Sequence, residues 1–231
     1  MENSRRKNRL LNPMRQHFTE ILDSIRNDVV RMGSRSMELV KQATDAALNG
    51  DLEQAQGVIQ ADDEIDQYEQ ELYRRTFLTV MQENPVAADF RFLVSTLGVV
   101  GEIEKAADDA VKLARRARKL KGLFPPELRV ALLELGEESR RMFAASLRLF
   151  AEYTSELAQE IIDSDEEIDT RYSVARQRVL EMIPDNPEQS EALVRTIDCF
   201  HALEHVADHA VEIAQRMRML YNARPDAHFT R

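Results

Sequence analysis

Apolar residues recur every three to four positions along most of the chain, a spacing that predicts helices. The first run is Met14, Phe18, Ile21, Leu22, Ile25 and Val29, continued by Met37, Val40, Ala47 and Leu48. Gly33 falls inside it and marks a place where the helix is expected to kink, since Gly costs about 1 kcal/mol relative to Ala. Asn49-Gly50 ends the run. Asp51-Leu52-Glu53-Gln54 then reads as a capping box, with Asp51 as N-cap and Gln54 reaching back. A second helix is predicted through Ile59, Ile65, Leu72 and Phe77 to Met81. Asn84-Pro85 closes it, and Pro85 suits the first turn of a third helix. That helix carries Phe90, Leu93, Leu97, Val100, Ile103, Ala107 and Leu113, and it ends in Lys112, Arg115, Arg116, Arg118, Lys119 and Lys121. Cations there offset the helix dipole by about 0.3–1 kcal/mol each, which accounts for the run without a partner.

After Gly122-Leu123-Phe124-Pro125-Pro126 the pattern starts again. Leu135-Gly136 matches Met32-Gly33, and Ala158, Ile162, Asp165, Ile168 and Asp169 match Ala55, Ile59, Asp62, Ile65 and Asp66 at one constant offset. Asn186-Pro187 repeats Asn84-Pro85. The chain is an internal duplication. The expected fold is all-α, two tandem pseudo-symmetric three-helix bundles. A flexible basic arm at 1–12 precedes the first bundle at 13–121; a linker at 122–126, the second bundle at 127–221 and a flexible tail at 222–231 follow.

Composition narrows the class. With 43% hydrophobic and 31% charged residues, and only 7 Gly and 7 Pro in 231, the chain favours long helices over sheets. A net charge of −10 argues against a nucleic-acid partner, whose phosphates require cations. The single cysteine, Cys199, excludes an internal disulfide framework, fits a reducing compartment and reads as a small core residue. No apolar run approaches the ~20 residues that cross a bilayer, and no apolar core follows Arg5, Arg6, Lys7 and Arg9 as in a signal peptide. A cytoplasmic protein, peripheral to a membrane at most, is expected.

Glu104-Lys105-Ala106-Ala107-Asp108 and Glu204-His205-Val206-Ala207-Asp208 each set two carboxylates one helical turn apart on one face. Like charges so placed weaken a helix by roughly 0.2–0.5 kcal/mol unless compensated, and a cation is the simplest compensation. The duplication exposes a second pair per half, Asp62 with Asp66 and Asp165 with Asp169. Pro85 is the sequence midpoint of both Asp66–Glu104 and Asp62–Asp108, so an antiparallel hairpin about it brings the four acids level. They flank Ile65 and Ile103, which point inward. Four carboxylates per half form an oxygen-rich environment for magnesium, manganese, calcium or iron, with zinc possible. Glu38, which mirrors Asp62 about Gly50, is a further candidate approaching the first site. The alternative is a solvated acidic face, with neighbouring bases forming local pairs such as Glu69 with Arg74.

His201, His205 and His209 interleave with Glu204 and Asp208 and offer nitrogen donors that favour zinc or iron; they read equally as surface residues. The corresponding first-half residues are Gly101, Lys105 and Asp109, so a histidine site would be asymmetric. Di-metal bundle enzymes use Glu-x-x-His, whereas Ala107 and Ala207 stand three residues after Glu104 and Glu204. No phosphate-cradling glycine loop, Ser-His-Asp grouping or CxxC motif is present. A carboxylate-bridged di-metal enzyme and a metal-free helical scaffold remain the alternatives to a non-enzymatic metal-binding protein.

These residues carry a resemblance to the PhoU family of phosphate-signalling regulators. Pro85-Val86-Ala87-Ala88-Asp89-Phe90-Arg91 resembles the family's PVAxDLR, both ExxxD segments resemble its LERxGD, and Asp62–Asp66 and Asp165–Asp169 resemble its second-helix pattern. The likeness runs from about Phe18 to about Leu220. It departs at Lys105 and His205, where the family has Arg, at Ala107 and Ala207, where it has Gly, and at Asn186–Glu191, which lacks PVAxDLR. The resemblance implies a cytoplasmic, often dimeric adaptor rather than an enzyme. Its metal clusters would be held by Glu104, Asp108, Glu204 and Asp208, with Asp62, Asp66, Asp165 and Asp169 beside them. Its implied partners are the ATPase subunit of a phosphate ABC transporter and a sensor histidine kinase, and its implied role is negative regulation of the phosphate-starvation response.

Overall fold

The structure, a computed structural model, describes residues 13–222; the basic arm and the tail beyond Asn222 lie outside them. Among the described residues the regular structure is helical: α1 Pro13–Asn49, α2 Leu52–Gln60, α3 Asp62–Glu83, α4 Ala87–Leu120, α5 Arg129–Ala151, α6 Ser155–Asp163, α7 Asp165–Met182 and α8 Ser190–Asn222. Short 3₁₀ turns at Pro126–Leu128 and Pro187–Gln189 introduce α5 and α8. None of these helices is long and apolar enough to cross a membrane.

α1, α4, α5 and α8 form a central four-helix group in which α1 and α8 each pack on both α4 and α5, with α2 and α3 against α4 on one flank and α6 and α7 against α8 on the other. The apolar faces merge into one continuous core in which Ile25, Leu39, Ile65, Leu93, Ile103, Phe143, Phe150 and Phe200 are fully buried. The halves therefore share a core.

Three details differ from the sequence expectation. The second helix is two helices, broken at Ala61 between α2 and α3, and the break recurs at Ser164 between α6 and α7. Apolar periodicity continues across both breaks, which hides them. The acidic triplets Asp62-Asp63-Glu64 and Asp165-Glu166-Glu167 then occupy the first turns of new helices, where the dipole favours negative charge. Pro85 lies outside α4. Asn84 ends α3 in the left-handed conformation at φ 46°, and Val86, extended, is the N-cap of α4. Asp51 does cap α2, accepting from the Gln54 backbone N–H at 2.9 Å.

Gly33 does not divide α1, which is continuous. A Cβ there would come within 2.5 Å of a Leu147 methyl on α5. Reciprocally, Gly136 on α5 faces Thr44 of α1, where a Cβ would meet that side chain at 3.3 Å. Gly33 and Gly136 are 103 positions apart, as are Thr44 and Leu147. Each half thus sets the side chain at the same repeat position, Thr44 or Leu147, into the glycine notch of the other, so α1 and α5 pack about a pseudo-twofold axis. The long helices turn back at one end through Gly50 (φ 66°) and Gly122 (φ 81°). There the backbones touch: a Cβ on Gly50 would lie 2.7 Å from the Gly122 Cα.

Candidate metal centres

The hairpins α3–α4 and α7–α8 bring together the eight carboxylates that the sequence singles out, four in each half. In the first half, burial and the charges of Asp108, Glu69, Asp66 and Asp62 push the Glu104 carboxyl up to about 7. Asp62 is raised by burial, Asp108 and Asp66, with Arg115 opposing. Glu69 is a fifth member, raised by burial and by Asp66 and partly relieved by the Tyr73 hydroxyl. It is not the partner of Arg74, which bonds Glu71 at 2.8 Å. Glu69 lies seven residues after Asp62 and three after Asp66, on one helix face, which is the sequence signal for it. Glu38 bonds instead to Arg35 and Gln42, both at 3.1 Å.

In the second half, burial and the charges of Asp208, Asp169, Asp165 and Asp109 push Glu204 up to about 7. Burial, Asp169 and Asp208 raise Asp165. Carboxylate oxygens of Asp165, Asp169 and Asp208 lie within 4.8 Å of one another, and one ligand atom each from His201, Glu204 and His205 does the same. Asp165 Oδ1 and Glu204 Oε2 are buried and lack a hydrogen-bond partner. Unpartnered buried oxygens among crowded like charges are costly unless a cation or a proton is shared between them. Hard cations with oxygen ligands fit both clusters.

The three histidines do not act as one set. His209 turns away from the acidic cluster and into the contact between the halves. Its Nδ1 lies 3.0 Å from Glu102 Oε2 and its Nε2 lies 3.2 Å from Asp109 Oδ2. Both carboxylates are buried. Lys105 (3.1 Å) and Arg216 (3.4 Å) complete the surroundings of Glu102, and Lys112 (2.7 Å) those of Asp109. Two carboxylates on one imidazole require both ring nitrogens to donate. Accordingly, burial is outweighed and His209 is raised to about 9. The basic end of α4 contributes here through Lys112, and across the halves through Arg116, which pairs with Asp198 at 2.9 Å.

A duplicated helical protein with one acidic cluster per half, each built on a helical hairpin, is the class that fold and site define. Known proteins place it more closely. The PhoU domain matches the chain twice, over residues 29–117 and 132–217. The chain belongs to the PhoU family. It is 28% identical over 211 residues to a phosphate-specific transport system accessory protein PhoU homolog of Pseudomonas aeruginosa, covering 90% of this chain and 87% of that protein. It is 26% identical over 200 residues to homolog 1 of Methanothermobacter thermautotrophicus, covering 86% and 91%. The crystal structure of PhoU from Pseudomonas aeruginosa superimposes with a TM-score of 0.83 at 27% identity, covering 88% of this chain and 98% of that one. That of the phosphate transport system regulatory protein PhoU from Streptococcus pneumoniae gives 0.81 at 23% identity, covering 89% and 97%, a likeness of fold.

Proposed function

We propose that this chain is a non-enzymatic, metal-binding accessory protein of phosphate transport, acting in the cytoplasm as a homodimer. It lowers phosphate uptake and the phosphate-starvation response by linking the ATPase subunit of a phosphate ABC transporter to a sensor histidine kinase. Family membership over both halves, with relatives named as accessory proteins of that system, supports the transport role. The observation carrying the metal role is the crowding of Glu104 and Glu204, where burial and the surrounding acids push both carboxyls up to about 7. Glu104, Asp108, Asp62 and Asp66 would hold the ions of the first half, and Glu204, Asp208, Asp165 and Asp169 those of the second. Iron, zinc, manganese and magnesium are the candidates, and the oxygen-only donor set of the first half favours the harder ions.

The test joins metal analysis of the purified protein to a starvation-promoter reporter in a deletion strain. Wild type is expected to carry divalent or trivalent metal and to repress the reporter; Glu104→Ala/Asp108→Ala is expected to lose metal and repression together. Repression by a metal-free protein would overturn the metal role. Capture of neither the ATPase subunit nor a histidine kinase, with or without phosphate, would overturn the linking role.

A further inference from the structure

At corresponding positions the two halves carry different side chains around the ExxxD pair. The first half has Glu69, Tyr73, Gly101 and Lys105; the second has Tyr172, Arg176, His201 and His205. In the first half the Tyr73 hydroxyl closes over α4, where a Cβ on Gly101 would lie only 3.1 Å from it. A histidine there would have to displace the Tyr73 hydroxyl. In the second half His201 occupies that position, with its ring 5.7 Å from Tyr172 and 4.0 Å from His205, centroid to centroid.

The atoms of this group converge. His201 Nε2 and His205 Nε2 each lie 3.9 Å from the same oxygen, Glu204 Oε2. At that distance neither nitrogen hydrogen-bonds to it, and the oxygen is buried without any partner. The far nitrogen of His205, Nδ1, faces the buried Asp109 Oδ2 at 3.8 Å. That separation is also beyond hydrogen-bond reach, and the ring's geometry leaves Nε2 as the nitrogen facing Glu204. Spacing i, i+3, i+4 on one helix sets all three side chains on one face. Metal–ligand bonds of about 2.0–2.1 Å span donor atoms roughly 3.3–3.5 Å apart in a tetrahedron, so small rotations close the site.

We propose that His201, Glu204 and His205 form a mononuclear site for a borderline divalent transition metal, Zn²⁺ foremost, that the first half does not possess. Two imidazoles and one carboxylate are a zinc donor set, and three protein ligands leave the fourth position, on the solvent side, to water or an anion. The proposal rests on the cation reading of the acidic clusters only in sharing Glu204 with one of them. The oxygen triad of Asp165, Asp169 and Asp208 stays beside it as a separate, harder site. The halves then differ in metal preference, although the backbone repeats.

The test uses the full chain stripped of metal, titrated with Zn²⁺ while the imidazole nitrogens are followed by NMR, and titrated with Mn²⁺ in parallel. Zn²⁺ is expected to shift the ring signals of His201 and His205 at one equivalent and to leave those of His209 in place. His201→Gln/His205→Gln is expected to weaken the tightest Zn²⁺ binding by at least about 100-fold, beyond the roughly 10–100-fold that follows loss of a ligand's supporting group. His201→Gln alone, at an exposed position, serves as a second variant, with thermal unfolding confirming that both fold. Static ring signals at saturating Zn²⁺, or equal Zn²⁺ affinity in wild type and the double variant, would overturn the proposal. Mn²⁺ binding alongside either negative result leaves the acidic clusters standing; absence of Mn²⁺ binding as well removes both readings.

Discussion

Glu204 shows how one side chain is set by its surroundings. Its side chain is only 16% exposed and faces Asp208, Asp169 and Asp165, with the His201 and His205 rings 3.9 Å away, and burial and the acids together raise its carboxyl from 4.5 to about 7. A carboxyl raised on folding is more easily protonated in the native state than in the unfolded one. The metal-free protein therefore loses stability as pH rises from about 4.5 to about 7, and the loss is complete above that. Glu204→Gln removes the charge and keeps the shape. At pH 8 without metal, the variant is expected to be more stable than wild type by about 1–2 kcal/mol, and at pH 5 the two should converge. Chemical unfolding at the two pH values reads this directly. Saturating Mn²⁺ reverses the order, because an ion that binds only the native state stabilises wild type more than a variant lacking one donor. A Glu204→Gln protein less stable than wild type at pH 8 without metal would show that the glutamate is paired.

Long helices were readable from periodicity, because a buried face imposes its spacing on any sequence that forms it, and the duplication and the grouping of four acids in each half from the constant offset of the repeat and the turn midpoints. The breaks at Ala61 and Ser164 were not, since both residues keep φ near −75° and neither is Gly or Pro. Their only trace is an acidic first turn. Gly33 was misread for a related reason: a glycine inside a helical pattern signals weakness locally, whereas its use here is to admit Leu147 from a helix more than 100 residues away. The roles of Glu102 and Asp109 were not legible because tertiary contacts define them, whereas Glu69 shares the helix face of Asp62 and Asp66 and reads in the sequence instead as a local partner of Arg74. Glycine accommodation separates two substitutions of identical chemistry. Gly57 lies exposed in α2 with nothing within 4 Å of an added Cβ, so Gly57→Ala is expected to stabilise by about 0.4–1 kcal/mol. Gly33→Ala gains the same helix propensity but drives a methyl into the buried Leu147, and overpacking costs about 1–3 kcal/mol. Its net effect is expected to be destabilising, and Leu147→Ala in the same chain should recover part of the loss in a double-mutant cycle. Simple additivity in that cycle would mean that α1 and α5 give way without strain.

Across the whole molecule the pseudo-twofold axis can be traced through side chains. Leu147 fills the notch at Gly33 as Thr44 meets Gly136; Arg216 lies over Gly98 as Arg116 pairs with Asp198, and these two sets are each related by the repeat. Asp109 and His209 are themselves equivalent positions, 100 residues apart, and they meet. A residue that touches its own counterpart sits on the axis, so this contact is the centre of the interface between the halves. Divergence from the repeat has made one partner acidic and the other basic, replacing what would be a like pair with an ion pair that also reaches Glu102. Its contribution depends on pH in two directions. The Glu102 and Asp109 carboxyls are held low, burial notwithstanding, by His209 and by Lys105 and Lys112, so their share is lost as pH falls below about 4.5. His209, raised to about 9, contributes fully below about 6.5 and loses its share as pH rises through 9. His209→Ala is therefore expected to cost about 2–4 kcal/mol at pH 6, where it leaves two buried carboxylates short of a donor. At pH 10, where the wild-type imidazole is neutral, the cost should shrink to about 1 kcal/mol or less. Because the halves share one core, unfolding should remain a single transition in both proteins, with the midpoint shift carrying the difference. An equal cost at the two pH values would show that His209 holds the halves by packing, with its charge contributing nothing.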